Sequence, residues 1–166
     1  LGGTGPVGVA SAVICAKAGA SVTLVGRSLE KAEKIAGICN DRYDSKNIKG
    51  GADADKSDFF NAADIVLNTG AAGIQLMSEE HIKNSNTLKI CADTNAVPPS
   101  GIAGVDVMDN GKVIDMSPSK CLGIGALAIG NIKYKSQHEC LKLMYTSEKP
   151  VYLDFEDAFK FAQKSV

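Results

Sequence analysis

The chain has 166 residues, of which 45% are hydrophobic and 22% charged, and its formal net charge is −1. That length suits one domain with a real hydrophobic core, and the composition is that of a folded globular protein. A near-neutral balance, 5% aromatics and no Trp argue against a nucleic-acid binder, and no apolar run approaches the roughly 18 residues of a membrane span.

The cysteines, Cys15, Cys39, Cys91, Cys121 and Cys140, are odd in number and never form a CxxC pair. They read as small core residues in a reducing cytoplasm, with no disulfide framework and no metal site. No signal peptide is visible. Glycine is the outlier at 17 residues, and Gly2, Gly3, Gly5 and Gly8 crowd the opening of the chain.

Taken in order, the first element is a helix from Pro6 to Ala18, with apolar or small residues at Val7, Ala10, Ile14, Cys15 and Ala18. Pro6 suits its first turn and Gly19 its C-terminal cap. Ser21 to Val25 is a short β-branched run, expected as a buried strand. Ser28 is placed as the N-cap of a second helix carrying Leu29, Ala32, Ile35, Ala36 and Cys39 on one face. A short strand near Asn47–Lys49 and a short helix over Asp58–Ala63 follow. Asp64 to Asn68 is a strong strand, Ser78 opens another short helix, and Leu88 to Ala92 is a further strand ending at Asp93-Thr94-Asn95.

Strand–helix alternation with short loops predicts an α/β domain over 1–166. It would be a Rossmann-like, doubly wound parallel sheet with helices on both faces and right-handed crossovers. The later part differs. Pro98-Pro99-Ser100-Gly101 is a turn-rich break, and Asn110-Gly111 between alternating residues predicts a small hairpin near 105–115. One long helix is expected from Ile124 to Tyr145. A last helix is capped by Asp154, and its Phe155–Phe159 face would pack within the chain or against another subunit. A homo-oligomer is expected.

Gly3-Thr4-Gly5-Pro6-Val7-Gly8 matches G-x-G-x-x-G and opens the first helix. In that pattern Gly3 permits the tight turn, Gly5 lets a pyrophosphate approach the backbone, and Gly8 permits close helix–sheet packing. Free N–H groups at the helix N-terminus then hold the anion. The motif should follow a buried strand, yet only Leu1 precedes it. The numbering is therefore expected to start within a longer protein, with the first strand truncated.

The second strand ends at Val25-Gly26-Arg27-Ser28. An NAD site would place an acid there for the ribose 2′-OH. Gly26 stands in its place, and Arg27 and Ser28, with Lys31 a turn later, suit a 2′-phosphate. The expected cofactor is NADP, with NAD weaker. Thr69, Gly70 and Ala71 follow a strand end and would let a cofactor lie against the backbone.

These segments resemble the cofactor half of NAD(P)-dependent methylene-tetrahydromethanopterin dehydrogenase. So, more specifically, do Ala92-Asp93-Thr94-Asn95-Ala96-Val97-Pro98-Pro99-Ser100-Gly101-Ile102-Ala103-Gly104-Val105-Asp106 and the stretch Gly123 to Lys135. The resemblance implies a missing N-terminal domain that shares a pterin-binding cleft with this one. It also implies hydride transfer from a methylene-tetrahydropterin to NADP⁺ in one-carbon metabolism. Methylene-tetrahydrofolate stays open as a substrate. So do a related folate- or shikimate-type dehydrogenase and a non-catalytic NADP-sensing module.

The carbon that loses hydride lies between two nitrogens whose lone pairs take up the positive charge, so no acid–base pair is compulsory. Asn95 is expected beside the carboxamide or the pterin. Gly125 and Ala126, with Gly123, are expected to offer backbone N–H groups. The resemblance places Lys133 near the reacting centre, with Lys135 as the fallback; His81 and His138 have no partners at metal-ligand spacing, so no metal is expected.

Overall fold

The computed structural model describes residues 1–165. The chain opens on a turn and enters α1 (Pro6–Lys17), followed by β1 (Val22–Gly26), α2 (Leu29–Tyr43) and β2 (Ile48–Ala52). A 3-10 turn (Asp53–Asp55) leads to α3 (Lys56–Ala62), β3 (Ile65–Asn68), α4 (Glu79–Asn84) and β4 (Ile90–Asp93). The remainder is β5 (Asn110–Val113), β6 (Leu122–Ile124), α5 (Ala126–Thr146) and α6 (Phe155–Gln163).

Local chemistry sets most of these boundaries. Gly5 caps α1 and Pro6 takes its first turn, where a missing N–H costs nothing. Gly19, at φ +91°, follows the end of α1. Ser28 accepts the Lys31 N–H and starts α2. Ser78 and His81 form a reciprocal capping box on α4, as Asp154 and Asp157 do on α6.

Two groups of strands form. β1 and β2 pair in parallel, and β3–β4–β6–β5 forms the second group, parallel except for β5. Leu1 to Gly3 runs between them. The Gly3 N–H donates to the Val25 carbonyl (2.9 Å), while the Leu1 amino group donates to Leu67 O (2.6 Å) and Thr69 N–H to Leu1 O (3.0 Å). The order across the molecule is therefore β2–β1–(Leu1–Gly3)–β3–β4–β6–β5. That is the doubly wound order, reversing direction between Leu1–Gly3 and β3.

Each side of this reversal has its own core. Ala12, Val13 and Ala16 of α1 and Ala32, Ala36 and Cys39 of α2 close over Leu24 and Ile48. Phe60, Val66, Met77, Ile82, Leu88, Cys91, Ile102 and Ile114 form the other. Three of the five cysteines, Cys39, Cys91 and Cys121, are buried, and all are free thiols. Cys121 and Cys91 lie 3.4 Å apart, sulfur to sulfur, and burial pushes both thiols up. Phe155 packs edge-on to Tyr43 at 5.6 Å, and Lys17 pairs with Glu156, so α6 docks within the chain beside α1 and α2.

The hairpin lies further along than the sequence pattern places it. Asn110-Gly111 is not its turn: it opens β5, where the pairing with β6 shifts register between Asn110 and Lys112. The reversal runs from Ile114 to Cys121, closed by the Ile114 N–H on the Cys121 carbonyl (2.8 Å), with Lys120 at φ +55°. Gly111 (φ +80°) spends its conformational freedom on the bulge.

Glycine content predicts opposite mutational signs at different sites. A Cβ on Gly8 would lie 2.5 Å from Gly3 Cα, a backbone atom that cannot swing aside, whereas Gly37 in α2 and Gly130 in α5 have nothing within 4 Å. Gly8→Ala should therefore destabilise the protein by about 1–3 kcal/mol through overpacking. Gly37→Ala and Gly130→Ala should each stabilise it by about 0.5–1 kcal/mol. Urea unfolding of the three variants reads the signs.

Candidate dinucleotide site

At the reversal, the loops leaving Leu1–Gly3 and β3 meet almost without side chains. Gly2 adopts φ +64°, and a Cβ there would stand 2.5 Å from Gly70 Cα. Gly3 is shut in by Leu24, whose Cγ lies 2.8 Å from a Cβ placed on it, and by Gly8 of α1. Gly5 differs. A Cβ at Gly5 would meet only Gly2 O, at 3.7 Å. The first and third glycines of the motif are thus filled by packing, and the middle one faces open space beside the α1 N-terminus. That is the arrangement in which a phosphate can approach the backbone.

Pro6 and Val7 are exposed on the first turn of α1, and Thr4 is half-buried against Gly26. Gly26 ends β1 and is buried; Arg27, Ser28 and Lys31 follow it and are exposed. Among the described ion pairs none involves Arg27 or Lys31. The Ser28 hydroxyl already serves as the α2 N-cap, accepting from Lys31 N–H at 3.3 Å.

On the other wall Thr69 turns its hydroxyl back onto Leu1 O (2.9 Å), so it fastens β3 to the opening segment. Gly70 and Ala71 continue along this wall, Ala71 exposed.

Behind this wall lies a buried polar network that sequence reading only half locates. Asn68 and Asp93 end adjacent parallel strands and are register partners. Both are essentially inaccessible, at 0% and 1% exposure. Asn68 Nδ2 donates to Asp93 Oδ1 (2.8 Å), and Asn68 Oδ1 accepts the Gly70 N–H (3.1 Å). Asp93 also accepts the N–H groups of Asn95 (3.0 Å) and Ile102 (3.0 Å). Gly101 packs against this pair so tightly that a Cβ would sit 1.8 Å from Asn68 Nδ2.

Asn95 has a structural part here. Its Oδ1 accepts from Gly73 and Val97, and its Nδ2 donates to Pro99 O (2.8 Å), so its amide is spent on the loops and not turned outward. The 94–102 loop, which contains the cis Pro98–Pro99 bond, is thereby tied to the 69–73 loop.

The third expected group stands apart from the glycine loop. Gly125 caps α5, but its N–H is held by Asp109 O (2.8 Å), and a Cβ there would lie 2.0 Å from Asp106 O. Its glycine is required by packing. Ala126 is the first helical residue, and Leu127 N–H is bonded to Val107 O (2.9 Å). Lys133 is exposed, eight residues beyond this cap, about 12 Å along the axis. A groove of about 630 Å³ lies elsewhere, between the middle of α5 and α6, with Tyr134, His138 and Phe161 on its walls. Among the described residues no cluster of three His, Cys, Asp or Glu is placed to hold a metal ion, and no helix is long and apolar enough to cross a membrane.

No family model matches the chain. It is 38% identical over 165 residues to the NAD(P)-dependent methylenetetrahydromethanopterin dehydrogenase of Methylorubrum extorquens, an alignment covering 98% of this chain and 55% of that protein. It is 36% identical over 149 residues to the bifunctional protein MdtA of the same organism, covering 88% of this chain and 50% of MdtA. The chain thus spans about half the length of the curated relatives it matches, and the family resemblance carried by its motifs is borne out. Quinate dehydrogenase from Corynebacterium glutamicum, solved in complex with NAD, superposes over 98% of this chain and 53% of its own with a TM-score of 0.57. At 15% identity that likeness speaks to the fold alone, which is the Rossmann-type α/β fold expected from the strand–helix alternation.

The buried network sets a prediction. Every N–H around Asp93 is a donor, so Asp93→Asn turns an amide NH₂ into at least one donor–donor conflict at nearly the same volume. It should cost about 1–3 kcal/mol. Limited proteolysis should show faster cleavage within 94–102, with sites in α2 unaffected.

Proposed function

We propose that this chain is the dinucleotide-binding half of an NADP-dependent methylene-tetrahydropterin dehydrogenase, which oxidises the methylene bridge of methylene-tetrahydromethanopterin to the methenyl form. The observation that carries the reading is the open backbone at Gly5, at the start of α1 and at the reversal of strand order. The relative named for this activity supports the substrate class, and the partial span supports a second, N-terminal domain that completes the pterin cleft.

The residues present fit a dinucleotide. The α1 N-terminus and the Gly3–Gly8 loop would hold the pyrophosphate. Arg27, with Lys31 a turn later, would meet a 2′-phosphate, the guanidinium by paired charge-assisted hydrogen bonds. Ser28 contributes through the cap that fixes this corner. Ala71, exposed beyond β3, lets the bound molecule pass against that wall, whereas the glycine at 70 is required by packing, since a Cβ there would lie 2.5 Å from Leu76 Cδ1.

When bound, the nicotinamide supplies the hydride acceptor. The protein's share is position and field. The Asn68–Asp93–Asn95 network holds the 69–73 and 94–102 loops at one spacing, which fixes the floor on which the pterin and nicotinamide must meet. No side chain has to remove a proton from the carbon that loses hydride, because the flanking nitrogen lone pairs stabilise the cation. Lys133, exposed on α5, is assigned an electrostatic and orienting role toward the pterin on the strength of the family resemblance.

Titration of the full-length protein with NADP⁺ and NAD⁺ tests the cofactor assignment. NADP⁺ should bind more tightly, and Arg27→Ala should weaken NADP⁺ by about tenfold or more while leaving NAD⁺ nearly unchanged. Equal affinity for both, or an Arg27→Ala protein that keeps its preference, contradicts it. Turnover of methylene-tetrahydromethanopterin, with kcat lowered in Lys133→Ala, tests the reaction.

A further inference from the structure

Gly26 occupies the position from which an acidic side chain reaches the ribose 2′-OH in NAD sites. Here that position is closed as well as non-acidic. A Cβ on Gly26 would stand 2.6 Å from Thr4 Cγ2, far inside the 3.5–4.0 Å at which carbon atoms rest. The other nearby atoms are at ordinary distances, Thr4 Oγ1 at 3.5 Å and Ala32 Cβ at 3.7 Å. One methyl group makes the obstruction.

Thr4 is poorly placed to give way. It is β-branched and stiff at χ1. Its neighbours are pinned, Gly3 by its N–H on Val25 O (2.9 Å) and Gly5 by its N–H on Gly2 O (3.3 Å). Gly3 is also wedged between Leu24 and Gly8.

We propose that Thr4 is a cofactor-specificity residue whose methyl group reserves the end of β1 for a glycine. The Thr4–Gly26 pair, rather than Gly26 alone, then excludes the acid that would select NAD and leaves the ribose edge to Arg27. This rests on the reading above that a dinucleotide lies on the Gly3–Gly8 loop. Its consequence is coupling. An acid at position 26 becomes useful only after the methyl at position 4 is removed.

The experiment is a mutant cycle in the full-length protein, with Kd for NADP⁺ and NAD⁺ read by calorimetry and folding checked by thermal melts. Gly26→Asp alone should lose NADP⁺ affinity and gain none for NAD⁺. Thr4→Ala combined with Gly26→Asp should bind NAD⁺ at least about tenfold more tightly than Gly26→Asp alone, the scale of a hydrogen bond to a charged group. Thr4→Val with Gly26→Asp keeps the branched side chain and should behave like the single variant. If Gly26→Asp alone is unfolded, the melts carry the test, and Thr4→Ala must restore folding where Thr4→Val does not.

Two results overturn the proposal. One is a Gly26→Asp protein that already binds NAD⁺ as tightly as the double variant. The other is a folded Thr4→Ala/Gly26→Asp protein with no gain for NAD⁺. A parent protein that binds neither dinucleotide would instead overturn the reading on which this rests.

Discussion

The contact on which the rest depends is between two glycines, Gly3 and Gly8, with no room between them for a single methyl group. It brings the first turn of α1 against the segment that leads into it. The helix N-terminus is thereby aimed along the line where the strand order reverses. A few ångströms away Gly2 and Gly70 repeat the device, backbone against backbone, and bring the β3 exit to the same place. Side chains are excluded from these contacts by space, so the surface left over at Gly5 is backbone. Such a surface recognises charge and shape rather than a particular side chain, which is what a phosphate group presents.

Close approach of loops is not itself rigid, and the Asn68–Asp93 pair supplies what glycine lacks. Two strands end on polar residues with almost no solvent access, and these residues satisfy one another and the N–H groups of the loops beyond. In a low-dielectric setting a network of this kind is costly to leave half-made and therefore holds one geometry. The 69–73 and 94–102 loops are tied to the sheet and to each other at the end of the strands where open α/β sheets bind ligands.

The sequence made the local features legible and left the non-local ones hidden. The glycine loop, the Ser28 cap, Gly19 after α1 and the Asp154 cap are each determined by residues within a few positions of one another, and each is found where the pattern puts it. Asn110-Gly111 shows the limit. A glycine with positive φ serves a hairpin turn or a bulge equally well, and only the pairing of β5 with β6 decides which. Asn95 and Gly125 were legible as special positions but not as to purpose. Asn95 spends its amide on Gly73, Val97 and Pro99, and Gly125 is squeezed by Asp106, contacts that cross the chain or a loop closure. The pairing of Asn68 with Asp93 spans 25 positions, and its only trace in the sequence is that two apolar strands both end on a polar residue.

The central claim is that a nicotinamide dinucleotide lies across the reversal of strand order with its phosphates on the Gly3–Gly8 loop. Backbone amide shifts of isotope-labelled protein, followed during titration with NADP⁺, test it most directly. The account predicts saturable shifts concentrated in Gly3–Gly8, Arg27–Lys31 and Thr69–Gly73. Shifts confined to the α5–α6 groove around Tyr134, His138 and Phe161, or no shifts at saturating NADP⁺, would contradict it.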